Sequence, residues 1–98
     1  MMKIIKIRDF TSGKIASSRQ TAINIISKNK INFSKDEIIF DFQKIEVASH
    51  SFIDELIGPY IQEIWKIPKN IKFKNCNDYV KEQIKFVIID RIKNPIYA

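Results

Sequence analysis

The sequence predicts an α/β domain of order β-α-β-α-β-α, with a small, mostly parallel sheet and helices packed on it. Three observations carry this expectation. Short strand-like runs rich in isoleucine and phenylalanine recur at KIIKIR (Lys3–Arg8), EIIFDF (Glu37–Phe42) and IKFK (Ile71–Lys74). Each is followed by a stretch whose apolar residues fall at three- and four-residue steps. Alternation of this kind favours parallel pairing through right-handed crossovers.

The first strand, Lys3 to Arg8, ends in the turn-rich segment DFTSGK (Asp9–Lys14). A helix follows from about Ser18 to Lys28. Ala22, Ile23, Ile25 and Ile26 form its apolar stripe, extended one turn earlier by Ala16 and the stem of Arg19. Ser17 and Gln20 have the spacing of a capping box, and Lys28 and Lys30 suit the negative end of the helix dipole. NFSKD (Asn32–Asp36) reads as a turn. The consecutive apolar residues Ile38, Ile39 and Phe40 predict a central strand buried on both faces. A loop, ASHS (Ala48–Ser51), leads into the second helix, where Ile53, Leu56, Ile57, Tyr60, Ile61 and Ile64 share one face. Gly58-Pro59 interrupts that pattern and predicts a bend over Glu55–Gly58, since proline lacks the N–H and clashes with the preceding turn. Pro68 stops the helix. IKFK alternates apolar and basic residues as a half-buried edge strand does. Asn77 or Asp78 caps a last helix through Val80, Ile84, Val87, Ile88 and Ile92, ending at Asn94-Pro95. Three strands are few for a sheet covered on both sides. Either a further strand lies within Thr11–Ser17, or one sheet face stays open for a partner or a second copy.

With 98 residues the chain has room for one core, and it reads as a single domain over 1–98. A composition of 45% hydrophobic and 29% charged residues, with only two Gly and three Pro, is that of a packed domain rather than a disordered one. Cys76 is the single cysteine and His50 the single histidine, so neither an internal disulfide nor a zinc site of about four ligands is expected. No apolar run approaches the roughly 18 residues of a membrane span, and MMKIIKIRDF is charged too early for a secretory signal; a cytoplasmic location is expected. The net charge of +6 permits nucleic-acid contact. Yet the lysines are scattered, and a usage rich in Ile, Lys and Asn is also what AT-rich coding DNA produces.

The segment FDFQKIEVASHSFIDELIGPYIQEI carries a family resemblance. A strand ending in FDF (Phe40–Phe42), a loop SHSF (Ser49–Phe52) and a helix opening FIDEL (Phe52–Leu56) resemble the core of a bacterial family of STAS-like domains of unknown function, themselves similar to anti-sigma factor antagonists. KIIKIRDF and the SSRQTA helix start fit the same family. The resemblance implies a partner-switching fold in which a histidine-kinase-like ATPase phosphorylates a serine at the start of the helix after the central strand. The motif there is Asp, two Ser and Gly. The matching positions are Ser49, His50, Ser51 and Phe52, so Ser51 corresponds to the second Ser, while the Asp and the Gly are absent.

Each site residue has a plainer explanation beside the functional one. Ser51 is the candidate phosphorylation site, or a helix cap with Asp54 three residues on, with Ser49 as the alternative cap. His50 beside Ser51 and Asp54 invites a hydrolytic reading, but a nucleophile, base and carboxylate converge from different elements, so a partner-contacting loop residue is expected. Asp41 reads as a structural charge facing a helix N-terminus or Arg19. Asp54 and Glu55 suit the helix dipole. Cys76 has no marks of activation. Phe52, Tyr60 and Trp65 share one helix and read as core, with one exposed at an interface. The sequence therefore points to a non-enzymatic protein-interaction module without metal or cofactor. Its partner-binding loop is Ser49, His50, Ser51, Phe52, Asp54 and Glu55, and a histidine-kinase-like ATPase is the partner the resemblance implies. The alternative is a nucleic-acid-binding accessory protein, with Lys69, Lys72, Lys74, Lys81 and Lys85 converging on one surface.

Overall fold

The structure, a computed structural model, describes residues 2–93. Its main sheet contains β1 (Met2–Lys6), β3 (Glu37–Asp41) and β5 (Ile71–Lys74) in the order β1-β3-β5, all parallel. Ile5, Phe40 and Phe73 lie in one row across it, and Ile4, Ile39 and Lys72 in the next. A second, two-stranded parallel sheet pairs β2 (Ile15–Ala16) with β4 (Val47–Ala48). The helices are α1 (Arg19–Lys28), α2 (His50–Ile64) and α3 (Asp78–Lys93).

Each crossover in the main sheet steps to the same side, β1 to β3 and then β3 to β5. Right-handed connections that step the same way place their helices on the same face. Accordingly α2 packs between α1 and α3 over one side of the sheet. The core fills the space between: Ile5, Ile38 and Phe40 from the sheet meet Ala22 and Ile25 of α1, Phe52, Ile53, Leu56, Ile57 and Ile61 of α2, and Val80, Ile84 and Val87 of α3. Phe40 stacks on Phe73 at 6.1 Å, and Tyr60 of α2 on Phe33 at 5.3 Å.

Both alternatives for the thin sheet are realised. A strand does form within Thr11–Ser17, as β2, but it joins β4 and not the main sheet. Among the described residues nothing covers the other face of the main sheet, where Met2 and Ile4 are about three-fifths exposed. The central strand is therefore not buried on both faces: Ile38 and Phe40 are sealed, while Ile39 is half-buried on the open side.

Several boundaries also move. The first strand ends at Lys6 because its pairing partner ends at Asp41; Ile7–Phe10 then form a 3₁₀ turn that buries Ile7. Ser18 caps α1, its Oγ accepting from the Gln20 and Thr21 N–H groups, so the Ser17–Gln20 box is not formed. Ile23 leaves the apolar stripe and is exposed, since Ala22 and Ile25 already define the inward face. Helix α2 begins at His50 and runs without interruption through Gly58-Pro59, with Pro59 facing solvent. Asn77 caps α3 by accepting the Val80 N–H at 2.8 Å. The expected stop at Asn94-Pro95 lies outside the described residues.

Candidate functional site

The first turn of α2 is positioned by the small sheet. Pairing of Val47–Ala48 with Ile15–Ala16 keeps the chain extended up to Ala48, and the Ser49 N–H donates to the Ala16 carbonyl at 2.9 Å. The helix must then start at once, so the expected four-residue loop contracts to Ser49. The Ser49 Oγ accepts the Phe52 N–H at 3.1 Å and donates to the Ser17 carbonyl at 3.1 Å. Ser49 is thus the N-cap, satisfying an orphan donor of the helix and tying α2 to the start of α1.

That assignment leaves Ser51 inside the first turn, not at the cap. It is half-buried, and its hydroxyl makes no hydrogen bond among the described residues. His50 is exposed beside it. Phe52 is fully buried in the core and drops out of the predicted recognition loop; the cap geometry turns it inward to meet the sheet.

Asp54 does not complete a box with Ser51. Its carboxylate accepts from Arg91 of α3, Nε to Oδ1 at 2.8 Å and NH2 to Oδ2 at 3.0 Å, and pairs with Arg19 of α1 at 3.5 Å. Arg19 also reaches Glu55 at 3.4 Å, and Arg91 also donates to the Gln62 side chain. One carboxylate therefore links all three helices. Burial pushes the Asp54 carboxyl up, but the hydrogen bond and charge of Arg91, joined by Arg19 and His50, outweigh it and hold the group below its ordinary value. Gly58 makes the clamp possible: a Cβ there would lie 2.9 Å from both the Arg91 Nε and the Asp54 Oδ1. Arg91, Gln62 and Gly58 were not among the predicted site residues. Only Gly58 carried a signal, because a glycine within an amphipathic helix marks a close approach.

Asp41 meets neither Arg19 nor a helix N-terminus. At the carboxyl end of β3 its Oδ1 accepts from the Asn75 side chain and from the Gln43 N–H, each at 2.9 Å. The Asn75 hydrogen bond is the main reason its carboxyl sits below the ordinary value, helped by Gln43, Lys74 and Lys6 against some burial. It joins the loops after β3 and β5. Burial raises the Cys76 thiol, consistent with an inert cysteine.

The five lysines proposed for nucleic acid fall into three groups. Lys72 and Lys74 project from the open face of β5, Lys81 and Lys85 line a cavity of about 480 Å³ against Phe73 and Ile84, and Lys69 lies in a separate hollow before β5. Trp65 at the end of α2 is exposed, in a left-handed conformation with φ of 58°. Among the described residues, no group of three or more His, Cys, Asp or Glu is placed to hold a metal ion, and no helix is long and apolar enough to cross a membrane.

No curated protein and no solved structure matches the chain. A family profile matches residues 23–81, the span from α1 through the central strand and α2 into α3. That span contains the cap, the first turn of α2 and the strand leading to them, and the chain belongs to the family it defines, the STAS-like domains of unknown function.

Proposed function

We propose that this STAS-like chain is a non-enzymatic protein-interaction module that recognises a protein partner through the first turn of α2, with Ser51 as the residue whose modification regulates binding. The observation that carries this reading is the division of labour between the two serines. Ser49 is committed to capping, whereas Ser51 offers a hydroxyl without a protein partner on the accessible end of the helix. The family resemblance supplies the partner class, a histidine-kinase-like ATPase.

The charges around Ser51 give a phosphate something to act on. Ser51, Asp54 and Glu55 stand three and four residues apart, on one helix face. A phosphate adds about −1.5 to −2 charges, favoured by the helix N-terminus and opposed by the two carboxylates. Arg19, half-exposed and held at 3.4–3.5 Å by Asp54 and Glu55, is the cation free to turn toward it. Modification would then exchange one ion pair for another and change the surface shared by α1 and α2.

The test is phosphopeptide mapping of protein purified from its own host, with calorimetric titration against the histidine-kinase-like ATPase of that host. Phosphate on Ser51, and a tenfold or greater change in affinity for Ser51→Asp but not for Ser51→Ala, is the expected result. Absence of phosphate under every growth condition, with equal binding by wild type and Ser51→Asp, removes the switch. Equal binding by His50→Ala and Glu55→Lys removes the surface as well.

A further inference from the structure

Purely parallel sheets occur almost only with both faces covered, because their crossovers supply helices. Here both crossovers lie on one side, and among the described residues no layer covers the other side of β1-β3-β5. The register shows what it presents. Met2 and Glu37 form one row, Ile4, Ile39 and Lys72 the next, and Lys6, Asp41 and Lys74 the last. Met2, Ile4 and Ile39 are thus a contiguous apolar strip. Lys6, Lys72 and Lys74 border it, all three exposed and none ion-paired among the described residues. Of the two acids on this face, Asp41 is buried, held by Asn75 and Gln43, and set between Lys6 and Lys74, whose charges help keep it ionised; Glu37 stands at the opposite end from those two lysines, so the three lysines outnumber the two acids.

We infer that this open face docks an acidic amphipathic helix of a partner protein, its apolar stripe on Met2, Ile4 and Ile39 and its carboxylates against Lys6, Lys72 and Lys74. The surface is distinct from the Ser51 turn, so the inference does not depend on the reading above. Three strands about 4.8 Å apart offer a face about 10 Å wide, the width of one helix. Charge selects the occupant. A second copy docked by the same face would set its own three lysines against these. A single-stranded nucleic acid would need aromatic platforms for its bases, and the described residues place no aromatic side chain in these rows.

The probe is a synthetic 18-residue helical peptide with leucines along one stripe and glutamates elsewhere, titrated into ¹⁵N-labelled protein. Controls are the same peptide with lysines for glutamates, and a 15-nucleotide oligothymidylate. Saturable binding of the glutamate peptide is expected, with amide shifts confined to 2–6, 37–41 and 71–74. Lys72→Glu combined with Lys74→Glu, and separately Ile4→Asp, should each weaken it tenfold or more, while Ser51→Ala and Ser51→Asp leave it unchanged. Circular dichroism confirms that the variants fold; the charge-reversal pair, at two exposed positions, carries the test if Ile4→Asp does not. Lack of saturable binding, equal binding of the lysine peptide, shifts elsewhere, or oligonucleotide binding at the same amides overturns the inference. Self-association abolished by Ile4→Asp overturns it in favour of a second copy.

Discussion

Asp54 ties three helices together, because it accepts from α1 and from α3 while belonging to α2. The clamp rests on the missing side chain of Gly58, and this makes a sign-changing prediction. In a helix interior, alanine is better than glycine by about 1 kcal/mol. At Gly58 the added Cβ must displace the Arg91 guanidinium, whose charge-assisted hydrogen bonds are worth about 1.5–3 kcal/mol before solvent screening at this partly exposed site. Gly58→Ala alone should therefore destabilise by about 1 kcal/mol in urea denaturation. In an Arg91→Ala background the Asp54 carboxylate is no longer held against position 58 and can turn aside, so the same change should stabilise. Nothing in the sequence announced this pair. Asp54 and Arg91 are 37 positions apart, and an acid near a helix start already had a sufficient local explanation in the dipole.

Which serine caps α2 shows where local pattern reading runs out. Ser49 and Ser51 both precede an apolar helical pattern, and Ser51 has an acid at the right distance. The decision is made 32 residues away along the chain, where Ile15–Ala16 hold Val47–Ala48 extended and so fix the first helical residue at His50. Ser49→Ala should lower stability by about 1 kcal/mol, the usual cost of losing an N-cap. Ser51→Ala should stay within about 0.5 kcal/mol, as for a surface change away from such features. The reverse order in thermal or chemical melts would return the cap to Ser51. The longer elements are readable from stronger signals: an unbroken apolar run for the strand at 37–41, alternation for the strand at 71–74, and three- and four-residue steps for the helices over 50–64 and 78–93, all of which stand near their predicted places. Of the two-residue strands, β2 is legible only as one of two alternatives within Thr11–Ser17 and β4 is not legible, because a pair such as Ile15–Ala16 has no period to detect, only a partner.

For the molecule as a unit, the layering was predicted from alternation, but the emptiness of one sheet face was left undecided between two outcomes. A run such as Ile38-Ile39-Phe40 gives no sign of which side lacks a cover, and Ile39 is the residue it misplaced. The two carboxylates that join separate parts of the fold, Asp54 between helices and Asp41 between the loops after β3 and β5, give the protein its acid response. Both have folded-state values below their unfolded ones. Their stabilisation is complete above the unfolded value of about 4 and is lost as pH falls through the folded value. Melting temperatures recorded between pH 7 and pH 2 should be level at first and fall below about pH 4. Asp54→Asn should flatten that fall. An unchanged acid slope in the variant would show that Asp54 gains nothing from ionising in the fold.

Among the described residues the strand order leaves β1 and β5 each with one unpaired margin. Such margins invite strands of other copies to add on, the first step toward fibrils, and charged lysines along them are a common natural deterrent. Lys3 and Lys6 stand on one margin, Lys72 and Lys74 on the other. The lysines thus set charge along both raw edges, an arrangement that opposes strand-by-strand addition of other copies.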